Sequence, residues 1–220
     1  MDKISRPEDI EKKSMSIIRS ELEMLGMPPF GEEEPVVLRV DALAGPAVRL
    51  NGPDRCYHCK INIMSTILRR AAEDGYPILL DGTNADDDAD ERPGMRALGE
   101  LGVVSPLRLC GLTKPEIRRL SREAGLFTWD KPAYACLATR VKTGEEITGA
   151  RLAAVERGED WLFSRGFTDF RLRTAGGSAL LQCPEEQLSR AHELLPEIRE
   201  KLSADFTSIE IDPKGRTTSL

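Results

Sequence analysis

The chain has 220 residues, of which 40% are hydrophobic and 31% charged, and its formal net charge is −6. This apolar content is enough for a folded core and excludes a wholly disordered chain, while the acidic balance argues against a broad nucleic-acid or anionic-membrane surface. No apolar run reaches the ~18 residues of a membrane span and the start, MDKISRPED, is not a signal peptide, so we expect a cytoplasmic protein.

The first part of the chain predicts two long helices separated by a short strand. A capping box at residues 5–8 opens a helix through IEKKSMSIIRSELEML, which we expect to end at Gly26. PVVLRV, residues 35–40, has the pattern of a short buried strand. Residues 54–73 then predict a second helix, ending at Gly75.

Further strands and a helix are expected before residue 140. YPILLDGTN, residues 76–84, is a predicted strand that runs into a polar loop, and SPLRLCGL, residues 105–112, is another candidate strand. A capping box at residues 113–116 opens the helix EIRRLSREAG, with Gly125 as its end. Helices alternating with short apolar strands predict an α/β fold, with a parallel sheet covered on both faces.

The pattern changes after about residue 140. A helix, ARLAAVERGEDWLFSRG, precedes a strand, FTDFRLRT, and SALLQC is its expected hairpin partner across Gly176 and Gly177. The helix PEEQLSRAHELLPEIREKL and the strand FTSIEID follow. We therefore predict two domains, residues 1–140 with an α/β fold and residues 141–220 with a small α+β fold.

The usual start of an open α/β domain is missing from this sequence. Such domains begin with a strand and a glycine-rich phosphate turn. Here the first predicted element is a helix, and GxGxxG, GxxxxGK[ST] and SGGxDS occur nowhere in the 220 residues. We expect the first βα unit to be absent.

Two cysteines one helical turn apart, in GPDRCYHCK, raise the question of their use. Cys56 and Cys59 share a helix face, so both sulfurs can reach one ion. The odd total of five cysteines argues against the interpretation of this pair as a disulfide. A closed zinc site needs four ligands, and the chain has no second CxxC and only two histidines. A redox pair and merely structural thiols stay open as alternatives.

A third thiol offers another use for the pair. Cys136 lies in DKPAYACLATR, a proline-punctuated loop between the two predicted domains. If the fold brings it close, three thiolates would hold a [4Fe–4S] cluster and leave one iron open to an exogenous ligand. Cys110 and Cys183 follow apolar residues in strand-like runs, so we expect them to be buried small hydrophobes.

Two polar groupings are candidate binding sites. The loop at the end of the predicted strand 76–84 carries carboxylates that would help hold Mg²⁺ beside phosphates, although an Asp-rich loop taken alone is more often a solvated turn. Arg171 and Arg173 alternate onto one strand face, which suits forked contacts to a phosphate or carboxylate, or a plain solvent-facing edge. Glu159 could join that site, but the default for a helical glutamate is the surface.

Four long motifs in order carry a family resemblance over roughly residues 5–220. They are NGPDRCYHCK, DGTNADDDADERPGMRA, the pair SPL…GLTKPEIR, and WDKPAYACLATR, continued by GFTDFRLR and IDPKGRTTSL. Together they resemble the LarE family, ATP-dependent sulfurtransferases of the PP-loop (ATP pyrophosphatase) superfamily. The resemblance implies an adenine-nucleotide α-hydrolase-like parallel sheet, here without its first βα unit, plus a small C-terminal α+β domain.

The resemblance also implies a reaction. Family members adenylate a carboxylate of pyridinium-3,5-biscarboxylic acid mononucleotide and replace AMP with sulfur, making the precursor of the nickel-pincer cofactor. One branch sacrifices a cysteine of the loop matching AYACLATR. The other uses a CxxC and one loop cysteine to hold a [4Fe–4S] cluster, and this sequence has all three thiols. The implied metal ligands are therefore Cys56, Cys59 and Cys136.

Further roles are carried over by the resemblance. By this resemblance, Cys136, Thr139 and Glu159 would have catalytic roles near the sulfur-transfer centre. Arg171 and Arg173 would bind the substrate phosphate. ATP and Mg²⁺ would be bound by residues of the acidic loop, namely Asp81, Gly82, Thr83, Asn84 and Asp87. The implied partners are the small mononucleotide substrate and further copies in a homo-oligomer; no membrane or nucleic acid is expected.

The missing SGGxDS loop leaves three explanations open. The chain is truncated, a separate subunit carries the phosphate loop, or ATP chemistry has been lost. We expect this chain alone to bind ATP weakly and not to adenylate. The alternative functions are a non-catalytic or split-subunit PP-loop-like module and a tRNA thiolation enzyme, although the acidic charge and the lack of a basic stripe speak against the latter.

Overall fold

The computed structural model describes residues 36–87, 93–131 and 134–216. The predicted first helix and its end at Gly26 lie outside these ranges. Among the described residues, no helix is both long and apolar enough to cross a membrane. The region before residue 132 contains the helices α1 Pro46–Arg49, α2 Arg55–Glu73, α3 Pro93–Glu100, α4 Pro106–Leu109 and α5 Lys114–Glu123.

Two helices of this region confirm the sequence predictions. Helix α2 has the predicted bounds to within one residue, and Gly75 follows it in the left-handed conformation that ends helices, with φ +86°. Helix α5 begins with the predicted capping box, in which the Glu116 carboxylate accepts hydrogen bonds from the backbone and hydroxyl of Thr113 at 2.9 and 2.6 Å. These bonds lower the pKa of Glu116.

The strand predictions for the same region are wrong. Residues 36–40 form no strand, and residues 76–84 contribute only one parallel bridge, between Leu80 and Val104. SPLRLCGL contains the short helix α4, Pro106–Leu109, because Pro106 has the fixed φ that suits the first helical position. Cys110 therefore follows a helix and is exposed, not buried as predicted.

The predicted parallel sheet covered on both faces does not form within the described residues. The fold is a mixture of helices and strands, compatible with an α/β class in that general sense. Ile78 and Leu80 lie in the extended segment and are 65% and 58% exposed, so no layer covers them here. An extended segment with a single bridge leaves most of its backbone groups and apolar side chains open to solvent. The sequence of this segment therefore has the pattern of a strand, although the segment does not form one.

The C-terminal region confirms its predicted helix-strand-strand-helix-strand order. Strands β1, Arg171–Ala175, and β2, Ser178–Gln182, pair as an antiparallel hairpin. The turn glycines Gly176 and Gly177 have φ +56° and +86°, as a primed turn requires. β2 pairs in parallel with β3, Ile209–Ile211, so the intervening helix is a crossover. The elements are α6 Gly149–Ser164, β1 Arg171–Ala175, β2 Ser178–Gln182, α7 Leu188–Leu202 and β3 Ile209–Ile211.

The hydrophobic core lies between this sheet and its two helices. Helix α6 approaches β1 closely at Gly158, where a Cβ atom would lie 2.5 Å from Leu172 Cδ2. Cys183 is fully buried in this core, as predicted. The cluster's largest fully buried members are Leu162, Phe167, Phe170, Leu172, Leu181 and Ile198.

Candidate functional site

The predicted cysteine loop ends in a short 3-10 turn, Leu137–Arg140, and Cys136 is exposed at its start. Thr139 closes the turn by donating from its backbone and its hydroxyl to the carbonyl oxygen of Cys136, at 2.9 and 2.7 Å. Arg173, on β1, donates to the carbonyl of Thr139 at 2.9 Å. The loop carrying Cys136 is thereby attached to the strand carrying the predicted phosphate ligand.

A buried ion pair anchors this loop to the core. Arg140 and Glu159 have side chains that are 0% and 1% exposed, and their closest N–O distance is 2.7 Å. Glu159 also accepts hydrogen bonds from the Tyr134 hydroxyl at 2.6 Å and from the backbone of Leu172 at 2.9 Å. Arg140 donates in addition to Thr139 Oγ1 at 3.0 Å and to the carbonyl of Ala135.

This network of hydrogen bonds fixes the position of the Glu159 carboxylate. The predicted surface position for a helical glutamate is wrong, because both of its oxygens are occupied by partners inside the protein. Its bonds to Tyr134 and Arg140 fix both ends of the cysteine loop. Burial and the hydrogen bond to Glu159 raise the pKa of Tyr134 to about 12.

The other two thiols of the predicted site are on the first turn of α2. Cys56 is exposed and Cys59 is half-buried. Burial raises the pKa of the Cys59 thiol, and the thiols of Cys136 and Cys56 raise it further. Within the described ranges, no three Cys, His, Asp or Glu side chains are placed to hold a metal ion. Arg55 connects the two segments, since it contacts the sulfur of Cys56 and the carbonyl oxygen of Ala138, and cluster binding stays a prediction.

A pocket of about 540 Å³ lies beside the cysteine loop. Its wall is formed by the loop, the segment after it and one edge of the sheet, and includes Thr139, Arg140, Lys142, Arg173 and Glu210. Arg173 is held by Gln182, whose Oε1 accepts from its Nε at 2.5 Å. The pocket thus combines a fixed guanidinium and an ammonium with a direct connection to the loop of Cys136.

The two predicted phosphate ligands do not reach this pocket together. Arg171 and Arg173 are two residues apart on one strand face, but Arg171 is only 6% exposed and is absent from the pocket wall. It donates to the carbonyl of Phe170 at 2.7 Å and lies 3.7 Å from Asp169. Burial, together with the charges of Arg140 and Arg216, lowers its pKa.

Hydrogen bonds to the carboxylates of Asp81 and Asp87 hold the predicted nucleotide loop in place. Asp81 accepts from Ser105 and from the Thr83 hydroxyl, both at 2.6 Å. Burial alone would raise the pKa of Asp81, but these hydrogen bonds together outweigh it and lower the pKa. Asp87 accepts from the Asn84 backbone at 3.1 Å. Gly82 is exposed, with open space at its Cα.

Sequence reasoning missed several residues that build the site. Arg140 closes the quoted motif AYACLATR and Arg55 precedes the CxxC, so both were visible as charged neighbours of cysteines. Lys142 and Tyr134 carry no comparable signal. Their contribution depends on the path of the loop, which only the structure gives.

Comparison with known proteins gives three relatives. No protein-family model matches the chain. An uncharacterized protein of Synechocystis is 38% identical over 154 residues, which is 70% of this chain and 58% of the relative. An uncharacterized protein of Methanocaldococcus jannaschii is 30% identical over 140 residues, 64% of this chain and 54% of the relative.

The third relative has a named activity. It is the pyridinium-3,5-bisthiocarboxylic acid mononucleotide synthase of Lactiplantibacillus plantarum, 32% identical over 149 residues, or 68% of this chain and 54% of the synthase. The chain therefore spans little more than half the length of the curated relatives it matches. On the strength of this match, the chain belongs to the LarE family.

Proposed function

We propose that this chain transfers sulfur to an activated carboxylate of pyridinium-3,5-biscarboxylic acid mononucleotide, a step in nickel-pincer cofactor biosynthesis. The observation that supports this best is the position of the Cys136 loop, which Arg55 links to Cys56 on α2 and which forms part of the wall of the cationic pocket. The related synthase is named for the corresponding bisthiocarboxylic acid product.

The pocket suits an anionic mononucleotide. Its volume of about 540 Å³ lies within the usual range for small-molecule sites. Arg173 offers a planar fork for a phosphate or carboxylate, and Lys142 adds a point charge on the same wall. Arg173 also bonds the carbonyl of Thr139, so an anion bound there lies beside the cysteine loop.

The chemistry requires an activated carboxylate. A free carboxylate is a poor electrophile, whereas its adenylate carries AMP as a leaving group. A sulfur nucleophile, supplied ultimately as sulfide, attacks the carbonyl carbon and forms a C–S bond. The C–O bond to AMP then breaks, and AMP leaves with the bonding electron pair.

We propose that the three cysteines form the site that holds the sulfur before its transfer. Their thiolate donors are of the type that iron–sulfur clusters require, and two of the three are exposed. A [4Fe–4S] cluster held by Cys56, Cys59 and Cys136 would supply an iron without a protein ligand, to which a sulfide can bind. Thr139 and Arg140 hold the Cys136 loop beside the pocket, since both also belong to its wall.

The activation step needs ATP and Mg²⁺. We expect this chain alone to bind ATP weakly, and we assign its share of the contacts to the loop of residues 81–87. Asp81 and Asp87 supply carboxylate oxygens of the kind that Mg²⁺ prefers, and the low pKa of Asp81 keeps its carboxylate ionised. The open Cα of Gly82 leaves room for a phosphate group.

The sulfur step is tested apart from ATP by supplying the substrate as its preformed acyl adenylate. The whole chain is incubated anaerobically with iron and sulfide, and the thiocarboxylate is measured by mass spectrometry against a protein-free control. We expect product with the wild-type protein and with Cys110→Ala, and only the protein-free background with Cys136→Ala. Equal product from all three proteins would contradict the proposal.

The pocket is tested in the same assay. Arg173→Gln removes a charged donor and is expected to raise the KM for the adenylate by about 10- to 100-fold, the effect of one charge-assisted hydrogen bond. Lys142→Gln should raise it less. Lys201→Gln, an exposed lysine on α7 that is absent from the pocket wall, is the matched control and should leave KM unchanged.

A further inference from the structure

We propose that Asn51 and Arg55 are positioning residues that hold the Cys136 loop against the thiols of α2. We call this pair the clasp. The inference rests on the proposed function in one respect: it assumes that the three thiols act together. It assigns a role to two residues that belong neither to the thiol set nor to the pocket wall.

Arg55 connects the two thiol-bearing segments directly. Its Nη1 donates to the carbonyl oxygen of Ala138, inside the Leu137–Arg140 turn, at 3.1 Å. Its Nη2 lies 3.5 Å from the sulfur of Cys56, on its own helix. One guanidinium therefore contacts a thiol of α2 and the backbone two residues beyond Cys136.

Asn51 holds Arg55 in place. Its Oδ1 accepts from Arg55 Nη1 at 2.5 Å, and its Nδ2 donates to the carbonyl oxygens of Lys142 and Val141 at 2.9 and 3.3 Å. The residue is fully buried. Its backbone has φ +54°, a left-handed conformation that asparagine tolerates better than most residues. The amide oxygen thus holds Arg55, and the amide nitrogen bonds the segment that follows the Cys136 loop.

Backbone hydrogen bonds also connect the segment before α2 with the segment after the Cys136 loop. The carbonyl oxygen of Asn51 accepts from Gly144 at 2.9 Å, and that of Arg49 accepts from Ile147 at 2.8 Å. Helix α2, in contrast, has no fully buried residue, and apolar side chains such as Ile61, Ile67 and Leu68 are only half-buried, so apolar packing holds it less firmly. We therefore infer that these hydrogen bonds determine where Cys56 and Cys59 lie relative to Cys136.

The geometry requires an arginine at position 55. A guanidinium presents several donors in a rigid plane and can serve Asn51, Ala138 and Cys56 at once. A lysine ammonium at the end of a flexible chain can replace one or two of these contacts. Arg55→Lys should therefore keep part of the positioning, and Arg55→Met none.

The experiment measures thiol proximity without any cofactor or substrate. The reduced full-length protein carrying Cys110→Ser is treated with dibromobimane, which links two thiols only when they are close, and the linked peptides are mapped by mass spectrometry. The Cys56–Cys59 link is an internal reference, because both thiols are on one helix. The link from α2 to Cys136 reports on the clasp.

We expect Arg55→Met to slow the link to Cys136 by about tenfold, the effect of losing a hydrogen bond to a charged group, with the Cys56–Cys59 link unchanged. Asn51→Gly keeps the left-handed backbone but removes the side-chain bonds, and should slow the same link. Arg69→Met, an exposed arginine of the same helix, is the matched control and should change neither.

Three results would overturn the inference and are distinguishable. If the wild-type protein links α2 to Cys136 and Arg55→Met does so equally fast, the clasp does not position the thiols, although the three-thiol site of the proposed function stands. If the wild-type protein forms no such link, the thiols do not converge, and both proposals lose their common premise. A change in both links together would indicate unfolding, and would also contradict a positioning role.

Discussion

The regions on either side of the cysteine loop differ in how they are held together. In residues 141–216 two helices and a three-stranded sheet enclose a cluster of buried apolar side chains. In the described residues before 132, the buried apolar side chains are only Val48, Ala97 and Leu98, and α2 buries none. The packed region provides rigidity, whereas two of the three thiols lie on the sparsely packed one.

This difference shows what positions the candidate site. The Cys136 loop belongs to the packed region through Arg140 and Glu159, and α2 reaches that loop through hydrogen bonds of Asn51 and Arg55. Packing fixes one side of the site, and polar contacts fix the other. Substitutions in the two regions should therefore have different effects on stability and on thiol geometry.

The largest difference is expected for ion pairs. Glu159→Ala leaves the Arg140 charge buried without compensation and should lower the free energy of unfolding by about 3–5 kcal/mol. Glu123→Ala breaks the exposed Arg119–Glu123 pair, whose side chains are 60% and 59% exposed, and should cost less than about 1 kcal/mol. Denaturant unfolding measures both.

A double variant tests the reason for that cost. Arg140→Leu with Glu159→Leu removes both charges and leaves the Leu172 backbone N–H and the partly buried Tyr134 hydroxyl without their acceptor, for a loss of about 1–3 kcal/mol. A double variant that is less stable than Glu159→Ala would show that the buried charge of Arg140 is not the source of the cost.

The two regions should also differ in their response to losing a leucine side chain. Leu181→Ala empties a fully buried position in β2 and should cost about 2–5 kcal/mol. Leu80→Ala changes a residue that is 58% exposed in the sparsely packed region and should stay within about 0.5 kcal/mol. Equal losses, measured by the same denaturant unfolding, would mean that Leu80 is covered in solution and would remove the distinction between the regions.

The smallest effect is a pH dependence at Tyr134. Its folded-state pKa of about 12 lies above its ordinary value of 10.0, so the neutral phenol stabilises the fold below pH 10. That stabilisation is lost as the pH rises from 10 towards 12. The unfolding free energy of the wild-type protein should therefore fall faster over this window than that of Tyr134→Phe, and parallel curves would contradict the Tyr134–Glu159 bond.

The sequence predicted the C-terminal region well because local and tertiary signals agree there. The Gly176–Gly177 turn, the alternation in β1 and the buried Cys183 all depend on patterns a few residues long. The strand at residues 35–40 and the covered sheet failed because apolar runs indicate a strand only when other strands pair with them. SPLRLCGL failed because Pro106 starts a helix as readily as it interrupts a strand.

The site was predictable in its members but not in its arrangement. The three cysteines, Arg173 and Thr139 could be singled out from motifs. The structure places Thr139 on the Cys136 loop and puts Thr139 and Arg173 on one pocket wall, whereas Cys56 and Cys59 lie on helix α2. The burial of Arg171 and Glu159 was not predictable, since strand and helix periodicity give the face of a side chain and not the depth of what covers it. Asn51 and Arg55 act through contacts 83 to 91 residues away in the chain, beyond any local pattern.

We propose that three of the five cysteines act as one site for sulfur. The decisive experiment is anaerobic reconstitution of the chain with iron and sulfide, followed by visible absorbance and by iron and acid-labile sulfide analysis. We expect Cys56→Ala, Cys59→Ala and Cys136→Ala each to abolish the cluster absorbance, and Cys110→Ala and Cys183→Ala to retain it. If all five variants behave alike, the three cysteines are not one site.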